Sequence, residues 1–164
     1  MDDIAFLVKQ AQRGNHEAFI QLLSGYEKVL YITAQRLLGN KQDIADVLQE
    51  TILICYREIG KLKNPKYFNT WVYKILVNNC KKYFRETTYV PIDEYDAPSH
   101  YSSERLELNE LIEQIPETYR FPLILYYYND LSMKEISEVL EIPVGTVKSR
   151  LARGRRILEA RYKE

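Results

Sequence analysis

The chain has 164 residues, and its 23 Lys and Arg balance 23 Asp and Glu, so the formal net charge is zero. With 46% hydrophobic residues there is material for one ordinary domain or two small ones, yet no apolar run reaches the ~18 residues that a membrane-spanning helix needs. Cys55 and Cys80 are too few and too isolated for a disulfide framework or a zinc site, and His16 and His100 stand alone, so no metal, cofactor, small-molecule substrate or catalytic group is expected.

Helical periodicity dominates from the start. The opening MDDIAFLVKQAQRGN lacks the basic start and apolar run of a signal peptide, so a cytoplasmic protein is expected. Ile4, Leu7, Val8 and Ala11 mark a first short helix that ends near Gly14-Asn15. Phe19, Leu22, Leu23, Tyr26 and Leu30 predict one longer helix, ended at Gly39-Asn40. Asn40 then caps a third, with Ile44, Val47, Leu48 and Thr51 facing inward and Gly60 stopping it. After a loop containing Asn64-Pro65, Asn69 or Thr70 caps a fourth helix that runs to about Arg85 and turns Val72, Ile75, Leu76 and Asn79 to one side.

Residues 87–104 carry two prolines and no 3.6-residue period, and they predict a flexible acidic linker between domains at 1–86 and 105–164. Arg105–Ile115 restarts a helix that Pro116 ends, and Glu117–Tyr128 forms the next, with Phe121, Leu123, Ile124 and Tyr127 or Tyr128 buried. Ser132 followed by Glu135 is a capping box. It opens a helix whose inner stripe is Ile136, Val139 and Leu140. Glu141-Ile142-Pro143-Val144-Gly145 breaks that helix, and Thr146 caps a last one with Val147, Leu151 and Leu158 inward. No strand is expected, so the fold class is all-α.

The charges are unevenly placed although they cancel. Residues 61–85 hold seven Lys or Arg and no acid; residues 86–104 hold five acids and no base. Residues 105–143 hold three bases and eight acids, and residues 144–164 seven bases and two acids. Local positive fields attract phosphates whatever the overall sum.

The second basic stretch is the last helix of a helix-turn-helix, with Lys148, Ser149, Arg150 and Arg153 on its early exposed face. Such a helix enters the DNA major groove by its N-terminal residues, where an Arg fork bonds two acceptors of a guanine. The first basic stretch interleaves aromatics. Lys74, Asn78, Lys81, Lys82 and Arg85 share one broad helix face, and Tyr67, Trp71 and Tyr73 lie near its start beside Lys61, Lys63 and Lys66. Basic side chains that follow a backbone, with rings that stack on unpaired bases, suit single-stranded nucleic acid. Trp71 and the tyrosines read equally as core residues by spacing. A chain that holds duplex DNA at one end and captures unpaired bases at the other fits promoter opening.

Three segments in order, DIADVLQETILICYREI, FNTWVYKILVNNCKKYFR and LIEQIPETYRFPLILYYYNDLSMKEISEVLEIPVGTVKSRLARGRR, resemble the extracytoplasmic-function sigma factors of the bacterial sigma-70 family. The resemblance covers about residues 3–85 and 105–162. It implies two helical domains, sigma-two and sigma-four, joined by a mobile linker that threads toward the RNA exit path, in a dissociable subunit of RNA polymerase. It implies docking on core polymerase through Asp46, Val47, Gln49, Glu50 and Leu53. It implies minus-10 reading and melting through the 61–69 loop and helix 70–85, with Lys63, Lys66, Tyr67, Trp71, Tyr73, Lys74, Asn78, Lys81, Lys82 and Arg85. Minus-35 reading falls to Thr146, Lys148, Ser149, Arg150 and Arg153, and control to an anti-sigma protein, often membrane-anchored. No further C-terminal domain is expected.

Departures from the family pattern are Lys82 in place of a frequent Asp, Lys81 in place of an apolar residue, Ile52 for Phe, and Ser137 and Gly154 for Ala. Gly154 in a helix interior is expected to cost about 1 kcal/mol relative to Ala. The rival reading is a polymerase-independent helix-turn-helix regulator, which leaves helix 70–85 without a task.

Overall fold

The computed structural model describes residues 2–39, 41–87 and 110–163, and all regular structure among them is helical. The proposed linker from residue 88 on, the proposed cap Asn40 and residues 105–109 lie outside the described residues. The helices are α1 (Asp2–Gln12), α2 (His16–Ser24), α3 (Glu27–Leu38), α4 (Lys41–Glu58), α5 (Phe68–Thr87), α6 (110–114), α7 (Glu117–Tyr127), α8 (Met133–Leu140) and α9 (Val144–Tyr162). Two 3-10 turns, Ile59–Lys61 and Pro65–Tyr67, lead from α4 into α5.

Several local expectations change. The single helix expected between Phe19 and Gly39 is two, α2 and α3. The Gly25 N–H still bonds back to Gln21 O, but Tyr26 bonds Leu23 O and turns its ring edge-on to Phe68, 5.3 Å away. Asn15, at the expected end of the first helix, caps α2, since its Oδ1 accepts from Ala18 N–H at 3.2 Å. Helix α5 begins at Phe68, so Asn69 and Thr70 lie inside it rather than capping it. The capping oxygen is that of Asn64, which accepts from Lys66 N–H at 3.0 Å and starts the 3-10 turn that runs into α5.

The helix-turn-helix is present as α8 and α9, with both reciprocal bonds of the Ser132–Glu135 capping box. The turn is tighter than expected. Glu141 takes the left-handed conformation at φ 56°, and Ser137 Oγ donates to Ile142 O. Helix α9 starts at Val144 behind Pro143, so Thr146 is inside its first turn and caps nothing; Gly145 is also helical and not part of the turn. Helix α7 holds Pro122 in its interior, which leaves one carbonyl of the preceding turn without its helical donor.

One buried apolar cluster runs through both halves of the chain. It joins Leu30, Leu37, Ile44, Phe68, Val72 and Leu76 of the first half to Ile115, Phe121, Ile124, Ile136, Val147 and Leu151 of the second. Two helices carry the connection: α5 packs on α4 and α3 and also on α8, and α3 packs on α7 as well as on α4. Thr51 Oγ1 accepts from Asn79 Nδ2 at 2.9 Å, and Tyr83 Oη donates to Asp43, which fixes α5 against α4. Burial first, and then the Asp43 carboxylate, pushes the Tyr83 hydroxyl up to about 12.

Gly154 is buried where α9 crosses α7, and a Cβ there would meet Leu123 Cδ1 at 2.8 Å and Cγ at 3.0 Å. The close crossing uses the missing side chain, so the expectation that Ala would be the better residue is reversed. Overpacking a core typically costs ~1–3 kcal/mol, against the ~1 kcal/mol that Ala gains in helix propensity. Gly154→Ala is therefore expected to lower stability by about 1 kcal/mol, read as a fall in the urea midpoint at unchanged slope; a rise in the midpoint would refute this account of the crossing.

Candidate nucleic-acid and polymerase interfaces

Helix α4 divides its residues cleanly. Ile44, Val47, Thr51 and Cys55 recur every three or four positions and are buried. Asp46, Gln49, Glu50, Leu53 and Arg57 lie in water. Val47, at 6% exposure, is thus a core residue, whereas the other four expected docking residues are exposed. The exposed face holds apolar residues that sequence spacing did not single out: Ile52 and Tyr56 join Leu53, itself 47% exposed. Tyr56 stacks on His16 and accepts or donates a 3.0 Å bond to its Nδ1, which ties this face to α2. Acids beside exposed apolar side chains make a surface fit for a basic partner with apolar contacts of its own.

The basic aromatic stretch is only partly available. Lys63, Lys66, Asn78 and Lys82 are exposed, and Tyr67 stands 59% exposed at the entry to α5. Trp71 is half-buried against Phe68, with ring centroids 5.8 Å apart. Tyr73 is 4% exposed and belongs to the core, where burial raises its hydroxyl pKa despite the neighbouring Asn129 side chain. Lys74 is ion-paired to Glu141 of the helix-turn-helix at 2.9 Å, and that bond holds the Glu141 carboxyl below its ordinary value. The pair is therefore intact at neutral pH and is lost in acid, as pH falls through that lowered value. Lys81 is half-buried. Arg85 lies on α5, but its side chain is outside the described residues.

On α9, Lys148, Ser149 and Arg153 are exposed on the early face, and Thr146 and Arg150 are half-buried. Ser149 Oγ donates back to Thr146 O at 3.0 Å. Arg150 and Lys81 both line one cleft of about 230 Å³, together with Glu117, Phe121, Pro122 and Leu140. Arg155 is held by Tyr127, whose hydroxyl accepts from its Nε, so it is less free than Arg153 and Arg156.

The two halves meet along a seam that sequence analysis did not anticipate. Asn129 Nδ2 donates to Thr33 Oγ1 at 2.8 Å, and the Arg36 guanidinium lies 3.7 Å from the centre of the Tyr128 ring. Phe84 and Phe121 pack at 5.9 Å. Arg120, 6% exposed, lies 5.3 Å from the Phe84 ring and donates to Glu113 O at 2.9 Å. Gly39 approaches so closely that a Cβ would meet the Glu113 side chain at 3.2 Å. The hint in the sequence is the run Tyr126-Tyr127-Tyr128-Asn129, more amphipathic surface than one short helix can bury against its own half. Tyr127 is in fact 53% exposed, and Tyr128 is the ring that meets the other half.

Among the described residues no group of three or more His, Cys, Asp or Glu could hold a metal, and no helix is long and apolar enough to cross a membrane. Burial pushes both thiols, Cys55 and Cys80, up to about 12.

Comparison with known proteins gives a consistent picture. The family model described as "Sigma-70 region 2" matches residues 17–88, and "Sigma-70, region 4" matches residues 105–158. The chain is 30% identical over 178 aligned positions to the ECF RNA polymerase sigma factor SigW of Bacillus subtilis, covering 96% of this chain and 95% of that protein. It is 30% identical to the ECF RNA polymerase sigma-E factor of Escherichia coli K12, over 93% and 91% of the two chains. The same helical architecture recurs in the structure of CnrH in complex with the cytosolic domain of CnrY, with a TM-score of 0.78, 24% identity and coverage of 98% and 97%. It recurs too in the sigma factor RpoE bound to the anti-sigma factor NepR from Bartonella quintana, with a TM-score of 0.76, 21% identity and coverage of 88% and 96%.

Exposure separates two tyrosines that spacing could not. Tyr67→Ala is expected to leave the unfolding midpoint almost unchanged and to weaken binding of a single-stranded oligonucleotide by about 1–3 kcal/mol. Tyr73→Ala is expected to lower stability by about 3 kcal/mol, as core aromatic truncations do. Fluorescence anisotropy and thermal unfolding on the two variants check both; the reverse pattern would exchange their roles.

Proposed function

This chain belongs to the extracytoplasmic-function sigma factors of the sigma-70 family, and we propose that it binds core RNA polymerase and directs it to specific promoters. The observation that carries the proposal is the pairing of two separate basic helices with the two family regions in order. Helix α5 offers rings and lysines in region 2, and α9 offers lysine and arginine in region 4. A polymerase-independent regulator accounts for α8 and α9 but not for region 2, whose match spans residues 17–88.

In this reading the exposed acids Asp46 and Glu50, with Gln49 and Leu53, meet the polymerase, and Ile52 and Tyr56 extend the apolar part of the contact. Val47 acts by holding α4 in place, from inside the core. Lys63, Lys66, Tyr67, Trp71, Asn78 and Lys82 capture the melted minus-10 strand: the lysines follow its phosphates, Tyr67 and Trp71 stack on bases, and the Asn78 amide reads a base edge. Lys148, Ser149 and Arg153 face the minus-35 duplex from the early turns of α9, where a recognition helix meets base edges. Domains at 1–86 and 105–164, with residues 87–104 as the acidic connection, fit these roles.

The protein itself supplies no catalytic group in this reading. The polymerase performs the chemistry, and binding energy spent on unpaired bases lowers the free energy of opening. Work in the cytoplasm, and control by an anti-sigma protein that covers the polymerase and DNA faces, complete the proposal. CnrH and RpoE are both described in complexes, the latter with a named anti-sigma factor.

The direct test is transcription in vitro by core polymerase, with and without the protein, on a library of upstream fragments. New start sites preceded by two spaced elements are expected. Duplex binding without core binding or new starts would hand the function to the rival regulator. Charge reversal of Asp46 and Glu50 together is expected to abolish core binding while the fold survives, and Arg153→Ala to weaken minus-35 duplex binding by about 1–3 kcal/mol if it reads a base.

A further inference from the structure

We propose that Gln12, the last residue of α1, is a positioning residue for strand capture: it holds the backbone from which Lys63, Lys66 and Tyr67 reach the unpaired strand, and does not touch the strand itself. The inference rests on the reading of residues 61–67 and α5 as the strand-binding face. Gln12 Nε2 donates to Ile59 O at 2.9 Å and to Leu62 O at 2.8 Å, so both hydrogens of that nitrogen are used. The two bonds reach across 47 and 50 residues, and α1 packs on both 3-10 turns of the connection between α4 and α5. Ile59 O also accepts from Leu62 N–H at 3.2 Å, so a single side-chain amide grips the first of those turns at both of its ends.

The segment has few other ties to the body of the protein. Ile59 and Phe68 are buried and Leu62 is half-buried, but Lys63, Asn64, Lys66 and Tyr67 between them lie in water. The bonds inside the segment are local. Lys66 N–H donates to Asn64 Oδ1 and Tyr67 N–H to Asn64 O, which shapes the second turn without anchoring it. Among the described residues, Gln12 is the one side chain beyond the segment that hydrogen-bonds its backbone. Without those two donors the Ile59 and Leu62 carbonyls lose their outside partner, and the turn gains conformations. A strand that binds must then order the turn as well as itself, and its affinity falls by the cost of that ordering.

The test is a double-mutant cycle on the full chain, with a thymine-rich single-stranded DNA of about twelve nucleotides as the probe and circular dichroism as the control for folding. Gln12→Met keeps the reach of the side chain and removes both donors. It is expected to weaken strand binding roughly three- to tenfold, and to speed amide hydrogen exchange in residues 59–67 while the middle of α5 exchanges as in the parent. Because Gln12 acts through the turn, its loss overlaps with that of Tyr67: in the Tyr67→Ala chain, Gln12→Met is expected to cost much less than its full factor. In the Lys82→Ala chain, altered on α5 outside the turn, the two losses are expected to multiply. Unchanged exchange in 59–67, losses that multiply in both backgrounds, or a Gln12→Met chain that binds as the parent does would each overturn the positioning role alone. Gln12→Glu serves for the same cycle if the Met variant fails to fold, since its added charge weakens binding alike in every background and cancels. If Tyr67→Ala and Lys82→Ala bind the strand as well as the parent chain, the assignment of the strand-binding face falls, and the role of Gln12 with it.

Discussion

Helix α5 has more surface to bury than one half of this chain can cover, and the rest of the architecture follows from that. Its Phe68, Val72, Leu76 and Cys80 close the core of the first half. Tyr73 and Val77 are buried too, yet they belong to a helix that also presents Asn78 and Lys82 to water. The second half supplies the missing cover through α8. A helix required to be core on two sides and basic on the third has little freedom to rotate, and the Asn79–Thr51 and Tyr83–Asp43 bonds remove what is left.

The second half is organised by a different constraint, the close crossing of α7 and α9 at Gly154. That approach brings Leu123 against α9, whose Lys148 and Arg153 are exposed. The capping box at Ser132 and the left-handed Glu141 then fix where α8 starts and stops. Glu141 serves two ends of the structure, since the residue that bends the backbone also reaches Lys74 of the other half. The local turn and the long-range seam are therefore coupled through one side chain.

Most of this was legible in the sequence wherever a signal is local. Apolar spacing located the helices, the Ser132–Glu135 pair located a cap, and the family resemblance supplied two regions that the comparisons bear out. What was missed depends on neighbours far along the chain. Val47 and Leu53 look alike as apolar residues of one helix, and only the packing of α4 puts the first in the core and the second in water. Gly154 reads as a weak helix residue until Leu123, distant in sequence, occupies the space. Tyr67 and Tyr73 are indistinguishable by type. Caps were misplaced at Thr70 and Thr146, because Asn64, six residues earlier, and Pro143, three residues earlier, open those segments without the usual helical N-cap pattern. The seam left only a faint trace, the tyrosine run before Asn129, because hydrogen bonds across 96 residues have no local signature.

That separation has a consequence in time. At about 5–20 residues per second of synthesis, Thr33 leaves the ribosome roughly 5–20 s before Asn129. Helices α1 to α5 fold on a far shorter timescale. Helix α5 ends at Thr87, so for only the last roughly 2–8 s of that interval does the nascent chain present a completed first half with Arg36, Lys74 and Phe84 uncovered, and the order of translation alone makes the newborn protein, briefly, more open than the finished one.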